Sequence, residues 1–193
     1  MKLKLKVHPL FVLYGAYAAV CGRLFSFLSV TAVALLHECG HSLYAASVGY
    51  RLDRICLMPY GAVVSGEPQT LRKREEILLC LAGPFTNALT VLFFVSLWWF
   101  FPDAYAYTDT AVYASAFVGV SNLLPAYPLD GGRVLFCLTG SRKVCLVCSV
   151  LVALGCAALS FPTGNVSFLF FAGFILAGCF GGGGEYRKIN FSV

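Results

Sequence analysis

The feature that most constrains this fold is an apolar stretch, residues 24–48, which contains only three acidic, basic or imidazole side chains. These are His37, Glu38 and His41, and they form the pattern His-Glu-x-x-His. On an α-helix, residues four apart lie on the same face, so both imidazoles can reach one divalent metal ion while Glu38 approaches a water molecule there. Ionisable groups are costly inside a membrane-spanning helix and indicate a functional site. The apolar surroundings therefore argue against the competing interpretation, a pair of ordinary core histidines.

Composition favours a membrane protein over a soluble one. Of 193 residues, 59% are hydrophobic and 12% are charged, whereas soluble domains are less apolar and carry more charge. A bilayer core requires about 20 apolar residues per helix. The sequence therefore predicts an all-α membrane protein with about six transmembrane helices in a single integral-membrane domain, residues 1–193. The predicted spans are about residues 8–25, 27–48, 75–101, 109–124, 143–161 and 166–182.

The basic residues are distributed unequally between the predicted loops. If the N-terminus is cytosolic, Arg23 alone lies on the opposite side, and the other 13 of the 14 Lys and Arg residues lie on the cytosolic side. This asymmetry predicts a multi-pass protein of the cell membrane with both termini in the cytosol. It also accounts for the net charge of +5, so we expect contact with the lipid bilayer and not with nucleic acid.

The segment that follows the second predicted span is not helical in pattern. Residues 51–58 alternate loosely, Pro59, Tyr60 and Gly61 form a turn, and residues 63–66 begin with β-forming valines. The pattern predicts a short membrane-associated β-hairpin or re-entrant loop, whose free edge could hold an extended peptide by main-chain hydrogen bonds. A loop lying flat on the membrane surface is an equally good interpretation.

Polar and helix-breaking residues also interrupt the third predicted span. Pro84 frees backbone carbonyl groups, and Asn87 needs a hydrogen-bond partner in lipid. Both residues predict that this helix borders a polar cavity. A helix kink combined with inter-helical hydrogen bonding fits the same residues.

The fourth predicted span ends in a segment that breaks its helix. The segment contains Asn122, Pro125, Pro128, Asp130 and Gly131. Because the second and fourth spans run in the same direction, Asp130 can share a depth in the membrane with the two histidines of the metal motif. Two histidines, one carboxylate oxygen and a water molecule are a ligand set typical of catalytic zinc. His8, near the same interface, is the other candidate for a third protein ligand.

Taken in order, these motifs resemble the site-2 protease family of intramembrane metalloproteases. The resemblance rests on His37-Glu38-Cys39-Gly40-His41, on Ala82-Gly83-Pro84 with Asn87, and on Asn122-Leu123-Leu124-Pro125 through Pro128-Leu129-Asp130-Gly131-Gly132. Together with Val7-His8-Pro9 and Pro59-Tyr60-Gly61, the pattern is most similar to the stage IV sporulation protein FB branch. Cys39 replaces the usual leucine, and Ala62 replaces a glycine, but neither change removes a catalytic group.

The resemblance implies a function and a set of roles. It implies Zn²⁺ bound by His37, His41 and Asp130, with Glu38 activating water. It implies a membrane-associated protein substrate, in the sporulation branch a sigma-factor precursor, and we also expect a membrane inhibitor or gating partner. We expect no CBS or PDZ domain. The alternative function is a membrane metal-binding or transport protein without peptidase activity, which would spread polar residues across the full depth of the membrane.

Overall fold

Apolar helix-forming runs dominate the chain, and the residues that the structure describes form α-helices and one small sheet. A computed structural model describes residues 4–7, 9–49, 52–58, 61–66 and 71–181. The elements are β1 (Lys4–Val7), α1 (Pro9–Val20), α2 (Leu24–Ser47), β2 (Leu52–Met58), β3 (Gly61–Gly66), α3 (Lys73–Phe100), α4 (Tyr105–Asn122), α5 (Asp130–Thr139), α6 (Arg142–Thr163) and α7 (Ser167–Gly181). A 3-10 turn, Pro102–Ala104, joins α3 to α4.

Three of the described helices are long and apolar enough to cross a membrane. They are α2, α3 and α6, of 24, 28 and 22 residues, and they correspond to the predicted second, third and fifth spans. α1 and α7 contain shorter apolar segments. Large apolar side chains cover the outer faces of the long helices, as at Leu92, Trp99 and Leu151, which are 62%, 86% and 62% exposed. Apolar surface on this scale suits a lipid environment.

The chain divides into two compact units, and α3 contributes residues to both. The first unit comprises Met1–Gln69 and Ala82–Val120, and the second comprises Thr70–Leu81 and Ser121–Val193.

In the first unit, a three-stranded sheet lies against α2. β1 pairs in parallel with β2, with Leu5 opposite Ile55, and β2 pairs antiparallel with β3, with Ile55 opposite Val64. Both β2 and β3 contact α2, and α1 also packs on α2. The turn residues Pro59 and Tyr60, like His8, lie outside the described residues.

β1 was not predicted; it lies in the basic segment before the first predicted span. The strand had a signal, because lysine and apolar residues alternate with a period of two from Lys4 to Val7. Its partner β2 follows more than forty residues later in the sequence, so no local turn predicted the pairing. The secondary structure of the described residues is therefore all α-helical or 3-10 apart from this sheet.

In the second unit, α6 packs on both α5 and α7. The core consists of small and medium apolar side chains: Ala126, Leu129, Ala153, Ala172 and Ile175. The segment before α5 contributes the first two of these residues, so it belongs to the core.

The prediction of a broken, non-helical segment was wrong for its last four residues, because α5 begins at Asp130. Gly131 and Gly132 looked like helix breakers, but they lie in the first turn of α5. There the preceding chain passes so close that a Cβ on Gly132 would lie 2.5 Å from the carbonyl oxygen of Ala126. The helix ends at Gly140, whose φ of +63° is the left-handed conformation that often closes a helix.

Candidate metal centre

The two histidines of the metal motif converge because α2 is regular through them. His37 is buried and His41 is half-buried. Their Nε2 atoms lie 3.1 Å apart, and the ring planes meet at 82°. The helical spacing alone accounts for this, since residues four apart lie one above the other.

Glu38 completes a group that can hold a metal ion. One ligand atom each from His37, Glu38 and His41 lies within 4.8 Å of the others. Glu38 is half-buried, so the side chain is partly accessible to solvent. Cys39, between the two histidines in sequence, is exposed and lies outside this group.

Gly83 of α3 provides the space that the two imidazoles occupy. A Cβ at this position would collide with His41 Nε2 and would lie 2.7 Å from both Cε1 and Nε2 of His37. The sequence marked Gly83 as part of a motif, but this role was not predicted from it. Only the packing of α3 on α2 reveals that this position must lack a side chain.

The same two helices approach closely at Gly40, which is buried on α2. A Cβ on Gly40 would lie 2.5 Å from the carbonyl oxygen of Ala82 and would collide with the Thr86 hydroxyl. This close approach brings α3 against the metal motif, which explains why Gly83 can reach both imidazoles. Gly40 is another residue whose role sequence analysis missed.

Asn87 contacts the other side of the His37 ring. Its Nδ2 lies 3.2 Å from His37 Nδ1, and the residue is only 1% exposed. Ser115 of α4 donates a hydrogen bond to the Asn87 main-chain carbonyl at 3.1 Å. Asn87 Oδ1 is buried and has no hydrogen-bond partner among the described residues. The partner that Asn87 was expected to need in lipid is therefore His37.

The geometry of the histidine pair fits a tetrahedral metal. Two nitrogen ligands of a tetrahedral zinc ion are separated by about 3.3 Å, and the two Nε2 atoms are 3.1 Å apart. Metal-binding histidines usually donate from their second ring nitrogen to a nearby acceptor. The unpaired Oδ1 of Asn87 is such an acceptor, on the amide group that already faces His37 Nδ1.

Five other predicted site residues lie in the second unit. Asp130, the first residue of α5, is buried at 8% exposure. Asn122 is the last residue of α4, while Pro125 and Pro128 lie in the segment between α4 and α5. Gly131 follows Asp130, and a Cβ there would collide with the carbonyl oxygens of Leu123 and Leu124.

Polar groups of the second unit hold the segment before α5 in place. The Tyr127 main-chain N–H donates to Ser149 Oγ at 2.9 Å, and the Cys179 thiol donates to the Tyr127 carbonyl at 3.6 Å. Ser149 is fully buried. The role of Ser149 was not predicted, because a serine in an apolar helix has no distinguishing pattern.

An ion pair ties α5 to the start of α3 within the second unit. Arg133 Nη2 lies 3.7 Å from Glu76 Oε1, and the Glu76 side chain is only 8% exposed. Lys73 Nζ also donates to the Leu138 carbonyl at 3.5 Å. Burial raises the pKa of the neighbouring Cys137 thiol to about 11, so this cysteine is neutral near pH 7 and packs as an apolar residue.

Comparison with known proteins agrees with the motifs. Residues 25–109 match the family model Peptidase family M50. The chain is 31% identical over 141 residues to stage IV sporulation protein FB of Bacillus subtilis, covering 70% of this chain and 48% of the relative. It is 33% identical over 115 residues to a zinc metalloprotease of Methanocaldococcus jannaschii, covering 58% of this chain and 33% of the relative. The chain thus spans half or less of the length of these relatives.

The fold has a counterpart among solved structures. The site-2 protease from Methanocaldococcus jannaschii superposes with a TM-score of 0.72 at 21% identity, covering 98% of this chain and 92% of that chain. The family match covers α2 from its second residue, all of α3 and the residues that surround the metal motif. Residues 25–109 thus match peptidase family M50, the site-2 protease family.

Proposed function

We propose that this protein is an intramembrane zinc metalloendopeptidase that cleaves a membrane-associated protein near its cytosolic boundary. The observation that carries this proposal is the 3.1 Å separation of the His37 and His41 Nε2 atoms beside Glu38. The helix that carries them, α2, is long and apolar enough to cross a membrane. A metal-binding group with an adjacent carboxylate at this depth has the components needed to hydrolyse a peptide bond.

His37, His41 and Asp130 are the proposed zinc ligands. When bound, zinc makes a coordinated water molecule more acidic and polarises the scissile carbonyl group. The curated relative from Methanocaldococcus jannaschii is named a zinc metalloprotease, which supports this choice of metal. Asp130 is buried and is the first residue of α5, and its carboxylate would complete the three protein ligands that catalytic zinc sites use.

Glu38 is the proposed general base. It follows His37 directly on α2, and its ligand oxygen lies within 4.8 Å of the histidine nitrogens. At this position its carboxylate can accept a proton from the attacking water and pass it to the leaving amine nitrogen. A half-buried carboxylate suits this task, because it is accessible to water and yet close to the histidines.

The proposed topology has six spans with both termini in the cytosol. It consists of the three helices that are long and apolar enough to cross a membrane, α2, α3 and α6, together with the other three, α1, α4 and α7. The β2–β3 pair then follows the cytosolic end of α2 as a membrane-associated hairpin, since thirteen of the fourteen basic residues favour that side. Cleavage on this side would release a soluble product into the cytosol.

The substrate must offer an extended peptide, because a helix satisfies its own carbonyl groups and has to unwind before attack. We propose that Pro59, Tyr60 and Gly61 contact it and that Asn87, Asn122, Pro125, Pro128 and Gly131 shape the site. By similarity to stage IV sporulation protein FB, the proposed substrate is a sporulation sigma-factor precursor. A membrane protein that inhibits or gates access is the corresponding proposed partner.

Co-expression with membrane-tethered candidate substrates tests the activity. We expect a shortened product with the wild type and none with Glu38→Gln, because an amide cannot accept the proton. Asp103→Asn provides a matched control, since Asp103 is an exposed acidic residue in the turn after α3, and it should cleave normally. Cleavage by purified Glu38→Gln at the wild-type rate would refute the proposal.

A further inference from the structure

The basic residues between positions 71 and 181 are confined to three short segments of the second unit. Arg133 on α5 is paired with the buried carboxylate of Glu76. The others are exposed and lie at the starts of α3 and α6. These exposed basic residues, here called the cationic patch, are Arg72, Lys73, Arg74, Arg142 and Lys143.

Two contacts bring the start of α3 to α5, which leads directly into α6. Lys73 Nζ donates to the Leu138 carbonyl at 3.5 Å, and Arg133 Nη2 lies 3.7 Å from Glu76 Oε1. Arg142 follows Leu138 by four positions. Because consecutive Cα atoms are about 3.8 Å apart, the Cα atoms of these two residues lie within about 15 Å of each other. The two halves of the cationic patch are therefore neighbours in space.

The cationic patch does not serve the stability of the helices that carry it. Positive charge in the first turn of a helix is unfavourable, because the N-terminal end of the helix dipole is also positive. Glu75 contributes one negative charge and accepts a hydrogen bond from the Arg72 main-chain N–H at 2.9 Å, which leaves the patch with an excess of positive charge. Orientation in the membrane requires cations on one side, but it gives no reason for two helix starts to meet.

The cationic start of α6 continues into an exposed apolar stripe. Lys143 is followed on one helix face by Val147, Leu151 and Leu154, all of them exposed. The rise from Lys143 to Leu154 is about 17 Å along the helix, and half of the hydrocarbon core of a bilayer is about 15 Å thick. This face of α6 therefore offers a cation followed by apolar surface that extends through one leaflet.

The start of α3 and the end of α5 have the same arrangement. Leu78 is exposed and lies one turn after Arg74 on α3, and Leu138, whose carbonyl accepts from Lys73, is also exposed. Cations thus stand beside exposed apolar side chains in both halves of the patch. A ligand that satisfies both must combine negative charge with a hydrocarbon chain.

We propose that the cationic patch binds the phosphate group of an anionic phospholipid, with an acyl chain along the exposed stripe of α6. Clusters of about four to eight basic residues next to a membrane-spanning helix attract acidic headgroups in this way. A free phosphate ion, a nucleic acid or an acidic protein segment would use the cations but not the apolar stripe. In the proposed topology this lipid belongs to the cytosolic leaflet. The proposal does not depend on peptidase activity.

Arg74 and Lys143 suit a test, because neither side chain makes a hydrogen bond or an ion pair with the described residues. We expect Arg74→Gln and Lys143→Gln each to weaken the binding of phosphatidylglycerol about fivefold, and the double variant about 25-fold, which is the usual contribution of cations near acidic headgroups. The charge-conserving pair Arg74→Lys with Lys143→Arg should bind like wild type. Arg23→Gln removes an exposed cation from the first unit and should have no effect.

The measurement is lipid affinity by native mass spectrometry of the purified full chain in neutral detergent. Phosphatidylglycerol is compared with phosphatidylcholine of the same acyl chains, which should bind more weakly and be indifferent to the substitutions. Equal affinities of wild type for the two lipids, or of wild type and the double variant for phosphatidylglycerol, would overturn the proposal. Displacement of the lipid by equimolar inorganic phosphate or polyglutamate would also overturn it. The assay contains no substrate, so a negative result would leave the proposed peptidase function standing.

Discussion

Gly83 lies against His37 so closely that a Cβ on the glycine would be 2.7 Å from the histidine Nε2. The two residues belong to different helices, and the missing side chain of one makes room for the imidazole of the other. The metal motif of α2 therefore depends on a residue of α3 that has no chemistry of its own.

Substituting Gly83 by alanine should abolish metal binding without unfolding α3. Alanine favours a helix interior over glycine by about 1 kcal/mol, so a loss of zinc cannot come from a weakened helix. We expect zinc affinity to fall at least about 100-fold, because the added methyl group occupies the space of both imidazoles. Gly155→Ala on α6 is the matched control, since nothing lies within 4 Å of its Cβ position. Wild-type zinc content in purified Gly83→Ala would contradict the assigned contact.

Changes at Glu38 and His37 should separate proton transfer from metal binding. We expect Glu38→Gln to keep zinc and to lose about 10²–10⁴-fold in cleavage rate, the usual contribution of a general base. His37→Ala should lose both zinc and activity. Zinc content by mass spectrometry and cleavage of a purified substrate measure the two effects. Zinc-free Glu38→Gln together with zinc-loaded His37→Ala would reverse the assigned roles.

Asp130→Asn should lower metal affinity sharply, because a neutral amide is a poor substitute for a carboxylate ligand. Asp109→Asn serves as the control. Asp109 accepts hydrogen bonds from the main chain and hydroxyl of Thr110 next to it, and its loss should leave zinc binding unchanged. The measurement is zinc affinity by chelator competition. Equal affinities for Asp130→Asn and wild type would remove Asp130 from the proposed ligands.

The Glu76–Arg133 pair should matter most when one partner is removed. The Glu76 carboxylate is 8% exposed, so Arg133→Met leaves a buried charge without its counter-ion, which typically costs about 3–5 kcal/mol. The double variant Glu76→Gln with Arg133→Met should recover most of the lost thermal stability in detergent. The melting temperature of the double variant tests whether the two charges stabilise each other. A double variant no more stable than Arg133→Met would show that the pair is not coupled.

Thiol labelling of intact cells should report the orientation. In a background without the nine native cysteines, Asp103→Cys should react with a membrane-impermeant reagent, because the turn after α3 faces outward in the proposed topology. Ser141→Cys, just before α6, should be protected until the cells are opened. Labelling of Ser141→Cys but not of Asp103→Cys in intact cells would show that the protein has the opposite orientation in the membrane.

The sequence by itself determined the features that depend on neighbours along the chain. The convergence of His37 and His41 follows from a spacing of four on a helix, and α2, α3 and α6 follow from continuous apolar runs. Such features need only the local geometry of the backbone and the solvent it prefers. The same reasoning predicted that Asn87 has a hydrogen-bond partner, but it did not predict which group that partner is.

Only the tertiary structure decided the features that join distant segments. β1 forms because β2 lies beside it, and α5 begins at Asp130 because Gly131 and Gly132 let the preceding chain pass close by. The roles of Gly83, Gly40 and Ser149 arise in the same way. Gly83 lies against another helix, Gly40 lies against a carbonyl oxygen, and Ser149 accepts from a main-chain N–H, and each of these partners is distant in sequence. The physical reason is that steric exclusion and hydrogen bonding act over a few ångströms in space, whatever the separation along the chain.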